Sequence, residues 1–451
     1  MVNRYVFAAA IMMTAGLAAG AQDTDDAQSV ENQKKEEVAA GSGARISRAL
    51  GRLSIGGYGE AVMSRNFYSQ HFNRYLDPET YRNDKSHGRF DLPHVTLNLG
   101  YDFGKGWTMG MEIEFEHGGT ESAVEIDPDE SGEYEAETEK GGEVALEQFW
   151  LNKAFWNGKF NVKGGELIIP VGEINQYHLP NEFFSVYRTE GEAKFLPNTW
   201  HQVGLSLWGR LPQWRYEAIF TSGLDAERFG HNCFAHYGAT SPYEYKIGNV
   251  YAGAARVDNY SIEGLRLSVS GYYGYTFKNT ERKASASYDD CHGALAIGSF
   301  GFELDRWNLI ARGNATYAHL SDAERITTFC NAFPKHSQQD GSPSKHSPIA
   351  TSAYSFGGEI GYNVLGPVKN IKDSQKLYVF GRYEDYSTYA SGNKKVAYGY
   401  DHVRRMAFGL NYMPIPQIIV KAEYAKRFLP AGYNDEPSVS LGIAFVGWFN
   451  R

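Results

Sequence analysis

No stretch of this 451-residue chain holds eighteen continuous apolar residues, which excludes membrane-crossing helices. The chain holds no CxxC, no histidines clustered at metal-ligand spacing and no nucleophile elbow, so nothing in it supports an enzyme or a resident cofactor. Basic residues are in the minority. The 44 Lys and Arg against 53 Asp and Glu leave a formal net charge of -9, a poor balance for holding nucleic acid. Cysteine is scarce, at 3 residues, and no internal linker divides the chain despite its length.

What the chain has instead is alternation with a period of two. Near its end, Val439, Leu441, Ile443 and Phe445 take one parity, while Ser438, Ser440, Gly442 and Ala444 take the other. The same split recurs along some four hundred residues, in segments of about ten, and is the pattern of a transmembrane β-barrel with an apolar outside and a small or polar inside. Hydrophobic residues at 42%, 31 tyrosines, 49 glycines and a mean hydropathy of -0.46 fit that reading together. The lumen is polar, the rims take aromatics, and inward positions need small residues. A soluble β-sandwich also alternates, but both of its parities would then meet protein or water.

Residues 1–21 read as a secretory signal: Arg4, an apolar run from Tyr5 to Leu17, and the small residues Ala19, Gly20 and Ala21 before Gln22. Residues 22–49 are polar and charged and read as a periplasmic extension, with a short partner-binding helix as the alternative. Residues 50–451 form the barrel.

Sixteen strands are expected, at 52–64, 90–102, 107–116, 143–155, 159–167, 201–209, 213–222, 246–257, 265–275, 294–302, 307–318, 352–363, 376–385, 402–413, 417–427 and 437–447. The fourth alternates weakly. An even number lets both termini of a closed antiparallel barrel lie on one side. Tight turns at 103–106, 156–158, 210–212, 303–306 and 414–416 alternate with long stretches starting near 65, 117, 168, 223, 276, 319, 386 and 428; the connection 364–375 is longer than the other turns. In bacterial barrels short turns are periplasmic and long loops face outward.

The third long loop, 168–198, is hydrophobic and aromatic, and Pro170, Pro180 and Pro197 fix its path. A solvent-exposed loop has no need of Ile168, Ile169, Phe183, Phe184 and Tyr187, so folding into the barrel and narrowing it is the economical reading. Glu182, Arg188, Glu190 and Lys194 then present charge at the constriction. Packing as a lid over the rim or against a neighbouring subunit is the alternative.

The segment GGELIIPVGEINQYHLPNEFFSVYR carries a Gly, an apolar-Pro-x-Gly turn, an aromatic pair and a following Arg. In this, and in its signal segment and strand pattern, the chain resembles the phosphate-selective porin family of Gram-negative outer membranes, in its broad sense. On that pattern Pro170, Gly172, Phe183 and Arg188 take the family positions. The resemblance implies an outer-membrane homotrimer, each chain a diffusion channel with its third loop dipping inside.

Phosphate selectivity does not carry over. The inward parity offers Arg256, Arg266, Arg312, Arg382, Arg405 and Lys421, but also Glu60, Glu112, Glu114, Glu217, Glu359, Glu384 and Glu423. A mixed wall screens itself, whereas opposed acidic and basic walls would set up a transverse field suited to polar solutes. Any one of these charges can equally brace the wall. His94 is inward by parity and reads as a polar lining residue.

The second long loop is heavily acidic, ESAVEIDPDESGEYEAETEKGG, and its Asp127, Asp129 and Glu130 could hold calcium or magnesium weakly, although a solvated repulsive surface is the simpler reading. Cys233, Cys291 and Cys330 all fall in long outward stretches. In an oxidising compartment one disulfide could tie two loops and leave one thiol.

The expected function is passive diffusion of small hydrophilic solutes or ions, without cofactor or energy coupling, in a barrel embedded in outer-membrane lipid. The alternative is a barrel plugged by its own loops that displays them to a surface or periplasmic partner.

Overall fold

In the computed structural model, described for residues 51–449 except 85–86, 119–120, 123–139, 242, 332–347, 369–374 and 393–400, the alternating segments form sixteen long strands. They are β1 (Leu53–Asn66), β2 (His94–Gly104), β3 (Trp107–Glu116), β4 (Val144–Phe155), β5 (Phe160–Ile168), β6 (His201–Leu211), β7 (Trp214–Ser222) and β8 (Tyr251–Ile262). The second half comprises β9 (Leu265–Tyr275), β10 (Ala294–Arg306), β11 (Leu309–Leu320), β12 (Ser352–Asn363), β13 (Lys376–Ser391), β14 (His402–Ile415), β15 (Ile418–Phe428) and β16 (Glu436–Trp448). Each pairs antiparallel with its neighbours in sequence, and β1 pairs with β16 from Gly56↔Trp448 to Asn66↔Ser438. The sheet is a closed transmembrane barrel, and closure leaves no row of unpaired backbone groups toward hydrocarbon.

The two faces differ as the alternation requires. On β6 the outward Val203, Leu205 and Leu207 are 70%, 50% and 42% exposed, while the inward Gln202 and Ser206 are 1% and 0% exposed. At one end two-residue turns join five of the strand pairs, while 156–159 and 364–375 make longer connections. Lys105-Gly106 and Trp307-Asn308 both take positive φ throughout, the backbone that matches the twist of a tight hairpin.

Three departures from the expected strands have local causes. Residues 90–102 do not form one strand: Gly88–Asp91 pairs with the long-loop end of β1, the ladder breaks, and β2 begins at His94. Pro93, without an N–H to donate, sits at the break. β8 begins at Tyr251 instead of near Lys246, because the N–H groups of Asn249 and Val250 donate to the Asn279 side chain at 2.9 and 3.0 Å. β4 alternates weakly because it carries a bulge. Its Gln148 pairs with Glu112 and its Leu146 with Ile113, so Glu147 is the extra residue and points inward beside Gln148.

At the long-loop end the loops pack on one another. Leu167, Ile169, Val171, Phe195, Leu196 and Trp200, from β5 and the third loop, share a buried core with Leu224, Phe229, Phe234, Phe277, Ile326 and Phe329. Helix α1 (Ala323–Asn331) adds Ala323, Ile326 and Cys330 at helical spacing. This core also corrects the disulfide expectation. Cys233, Cys291 and Cys330 form no disulfide among the described residues. Burial pushes the Cys291 and Cys330 thiols up, to about 11 and about 12, so they act as small apolar residues and not as reactive groups. Residues 1–21, residues 22–49 and the acidic trio Asp127, Asp129 and Glu130 lie outside the described residues.

Candidate functional site

Charges on the inward face of β5 to β16 touch in alternating sign. Lys163 meets Glu217 at 3.1 Å, Glu217 meets Arg215 at 3.0 Å, and Arg215 meets Asp258 at 3.4 Å. Asp258 binds Arg256 at 2.9 Å, and Glu173 of the third loop then joins Arg256 to Arg266 at 2.7 and 2.8 Å. Glu303 bridges Arg266 and Arg312 at 3.8 and 3.0 Å, and Glu359 bridges Arg312 and Arg382 at 3.0 and 2.8 Å. Glu384 joins Arg382 to Arg405 at 3.0 and 3.1 Å, and Arg405 meets Glu423 at 2.6 Å. Finally Glu190 of the third loop binds Arg405 at 3.3 Å and Arg427 at 2.7 Å, and Arg427 reaches Glu436 at 2.7 Å. Each of the five arginines singled out by parity is thus met by a carboxylate. Strand geometry makes this possible, since same-face neighbours on adjacent strands lie within side-chain reach.

This belt also grips the third loop. Phe184 N–H donates to Glu359 Oε2 at 3.2 Å, Val186 N–H to Glu423 Oε2 at 3.0 Å, and Glu190 N–H to Glu384 Oε1 at 3.0 Å. Lys421 Nζ donates to the Phe183 and Ser185 carbonyls at 3.1 and 2.9 Å, and Arg256 donates to the Gly172 carbonyl at 2.7 Å. Gly172 turns the chain at φ +80°, where a Cβ would lie 2.7 Å from Glu192 Oε2. Glu192 in turn accepts from the N–H groups of Glu173 and Ile174 at 2.8 and 3.1 Å. Pro170 is buried just ahead of this turn.

Apolar contacts place the far part of the loop near the short-turn end. Leu179 packs with Tyr58, Ile419, Ala444 and Val446, and Phe184 packs with Ile310, Tyr378 and Phe380. A cavity of about 50 Å³ remains between Glu173, Glu182 and Phe183 of the loop and Arg266, Glu303 and Arg312 of the wall. That is room for a few waters. Lys194 stays exposed and Tyr187 half-buried.

The wall from β1 to β4 is different. Glu112, Glu114 and Glu147 are buried there without an alternating partner set. Gln148 donates to Glu112, Tyr58 O–H donates to Glu114 at 3.3 Å, and His94 Nδ1 lies 2.8 Å from the same Glu114 oxygen. Arg188 approaches Glu114 at 3.6 Å and donates to Tyr58 and Thr199 at 3.0 and 3.1 Å. Glu60 is buried nearby on β1, and its Oε1 has no hydrogen-bond partner among the described residues.

Of the charges not singled out from the sequence, Arg215 and Arg427 share the inward parity of the named charges, whereas Asp258 and Glu303 fall just past the expected strands 246–257 and 294–302. They lie toward strand ends, where parity was not followed. Glu147 carried no such signal, because the bulge reverses its face. Glu173 and Glu192 lie in a loop without periodicity.

No family profile matches the chain. An uncharacterized protein of Aquifex aeolicus (strain VF5) is 27% identical over 418 residues, covering 88% of this chain and 79% of that protein. Among solved structures, Salmonella typhi OmpF in its complex with daunomycin aligns with a TM-score of 0.51 at 10% identity, covering 88% of this chain and 97% of that one. The high-pH structure of Pseudomonas putida OprB aligns with a TM-score of 0.49 at 12% identity, covering 90% of this chain and 96% of that one. At such identities the OmpF likeness is one of fold.

Proposed function

We propose that this barrel is an outer-membrane channel of the porin type in a Gram-negative bacterium, with its long loops outside the cell. Small hydrophilic solutes or ions pass down their gradient through a lumen narrowed by the third long loop. The observation that carries the reading is the fastening of that loop to inward side chains of β8 to β15, through the hydrogen bonds of Arg256, Glu359, Glu384, Lys421 and Glu423. A loop held by so many buried charged contacts makes a fixed eyelet, because moving it would strand those charges in a region of low dielectric. Phosphate capture needs guanidiniums free to meet an anion. The belt arginines meet carboxylates instead, so the proposed selectivity is weak and set by size. A homotrimer is the proposed assembly, testable by cross-linking in mild detergent.

A second reading, a barrel plugged by its own loops, is favoured by one observation: Glu359, Glu384, Arg405, Lys421 and Glu423 are all at most 6% exposed. Planar-bilayer recording separates the two. Discrete open-channel steps support the channel. Absence of steps where a control porin conducts favours the plug.

A further inference from the structure

The wall from β2 to β4 brings together an imidazole and several carboxylates that the belt does not use. His94 Nδ1 and carboxylate oxygens of Glu114 and Glu116 lie within 4.8 Å of one another. Ligand atoms around one transition-metal ion, at bonds of about 2.0–2.2 Å, sit no more than about 4.4 Å apart, so small side-chain rotations would gather these three on one ion. Glu147, just outside that trio, is brought against Glu114 by the bulge. It is 2% exposed, its carboxyl contacts that of Glu114, and its Oε2 has no hydrogen-bond partner among the described residues. A cation beside two buried carboxyl groups offsets their mutual repulsion. Buried charges are paired or hold metals, and the guanidinium that reaches this group, Arg188, stands 3.6 Å from Glu114.

We propose that His94, Glu114, Glu116 and Glu147 form a binding site for a divalent transition cation of the zinc class, on the lumen side of the long-loop end. One imidazole with carboxylates is a donor set for a borderline ion, whereas calcium takes oxygen alone. Glu116, one-third exposed at its side chain, gives the ion a path from the entrance. Tyr58, donating to Glu114, holds that carboxylate in place. The site stands whether or not the barrel conducts.

The test is calorimetric titration of the folded, chelator-stripped barrel in detergent with zinc chloride and, separately, calcium chloride. The expected result is one zinc per chain, weakened at least tenfold by His94→Ala and by Glu147→Gln and unchanged by His402→Ala, which alters a different histidine–carboxylate pair at Asp385. Arg188→Ala removes the competing cation and should tighten zinc binding several-fold, a gain that misfolding does not produce. The proposal is overturned if the folded chain takes up no zinc, or if uptake survives both His94→Ala and Glu147→Gln. Calcium binding as tight as zinc would overturn the assignment of ion class.

Discussion

Two sectors of one lumen wall solve the same problem in opposite ways. From β5 to β16 the inward charges named above meet their opposites, except Lys421, which donates to two loop carbonyls, and the belt binds the third loop through backbone groups. From β1 to β4 the inward charges include Glu60, Glu112, Glu114, Glu116 and Glu147, and the loop reaches Glu114 with Arg188. The difference teaches that a mixed lumen composition does not mean a uniform lumen. The belt cancels its own field, whereas the remaining sector buries several carboxyl groups against one guanidinium, Arg188.

The largest effect should come from breaking the belt. Glu359→Gln leaves Arg312 and Arg382 facing a neutral amide and weakens the acceptor of Phe184 N–H, at a cost of about 3–5 kcal/mol, the usual penalty for a buried pair with one partner removed. Denaturant unfolding in detergent measures it. Glu112→Gln in the acidic sector should instead be neutral or stabilising, since it removes a carboxylate from a like-charged group. Equal losses in both variants would erase the distinction between the sectors.

Next comes Arg188→Ala, expected to cost about 2–3 kcal/mol by stranding Glu114 and the Tyr58 hydroxyl. It should also move the reversal potential toward cation preference. An unmoved potential would detach the acidic sector from the conduction path. Gly172→Ala should cost about 1–3 kcal/mol, because an alanine there must hold φ +80° and crowd Glu192. Its effect should fall on loop anchoring and widen the distribution of conductance steps. Smallest is Lys194→Ala. That side chain is exposed, so stability should change by less than about 0.5 kcal/mol.

The barrel was legible in the chain because strand side chains alternate strictly, so parity alone sorts Met109, Met111 and Ile113 from Glu112 and Glu114. Strand edges were less so. Pro93 cut one expected strand in two, and Asn279 took backbone N–H groups that would otherwise have lengthened β8. The belt was half legible. Its members share a parity, but the pairing of Arg256 with Arg266 runs through Glu173, a loop residue with no periodic signature. Glu147 was hidden for a sharper reason. A single inserted residue in β4 inverts the local parity, and the weak alternation of that strand was its only trace. The cysteines of the outward stretches form no disulfide, and Cys291 and Cys330 instead help fill a core that these loops pack among themselves.

Single-channel recording of the intact chain beside a chain lacking residues 173–190 tests the central claim most directly. Fastening of the third loop across the lumen predicts small, discrete steps from the intact chain and steps several-fold larger and noisier from the deletion. Equal conductance in the two chains would contradict it, because the loop would then lie off the path that ions take.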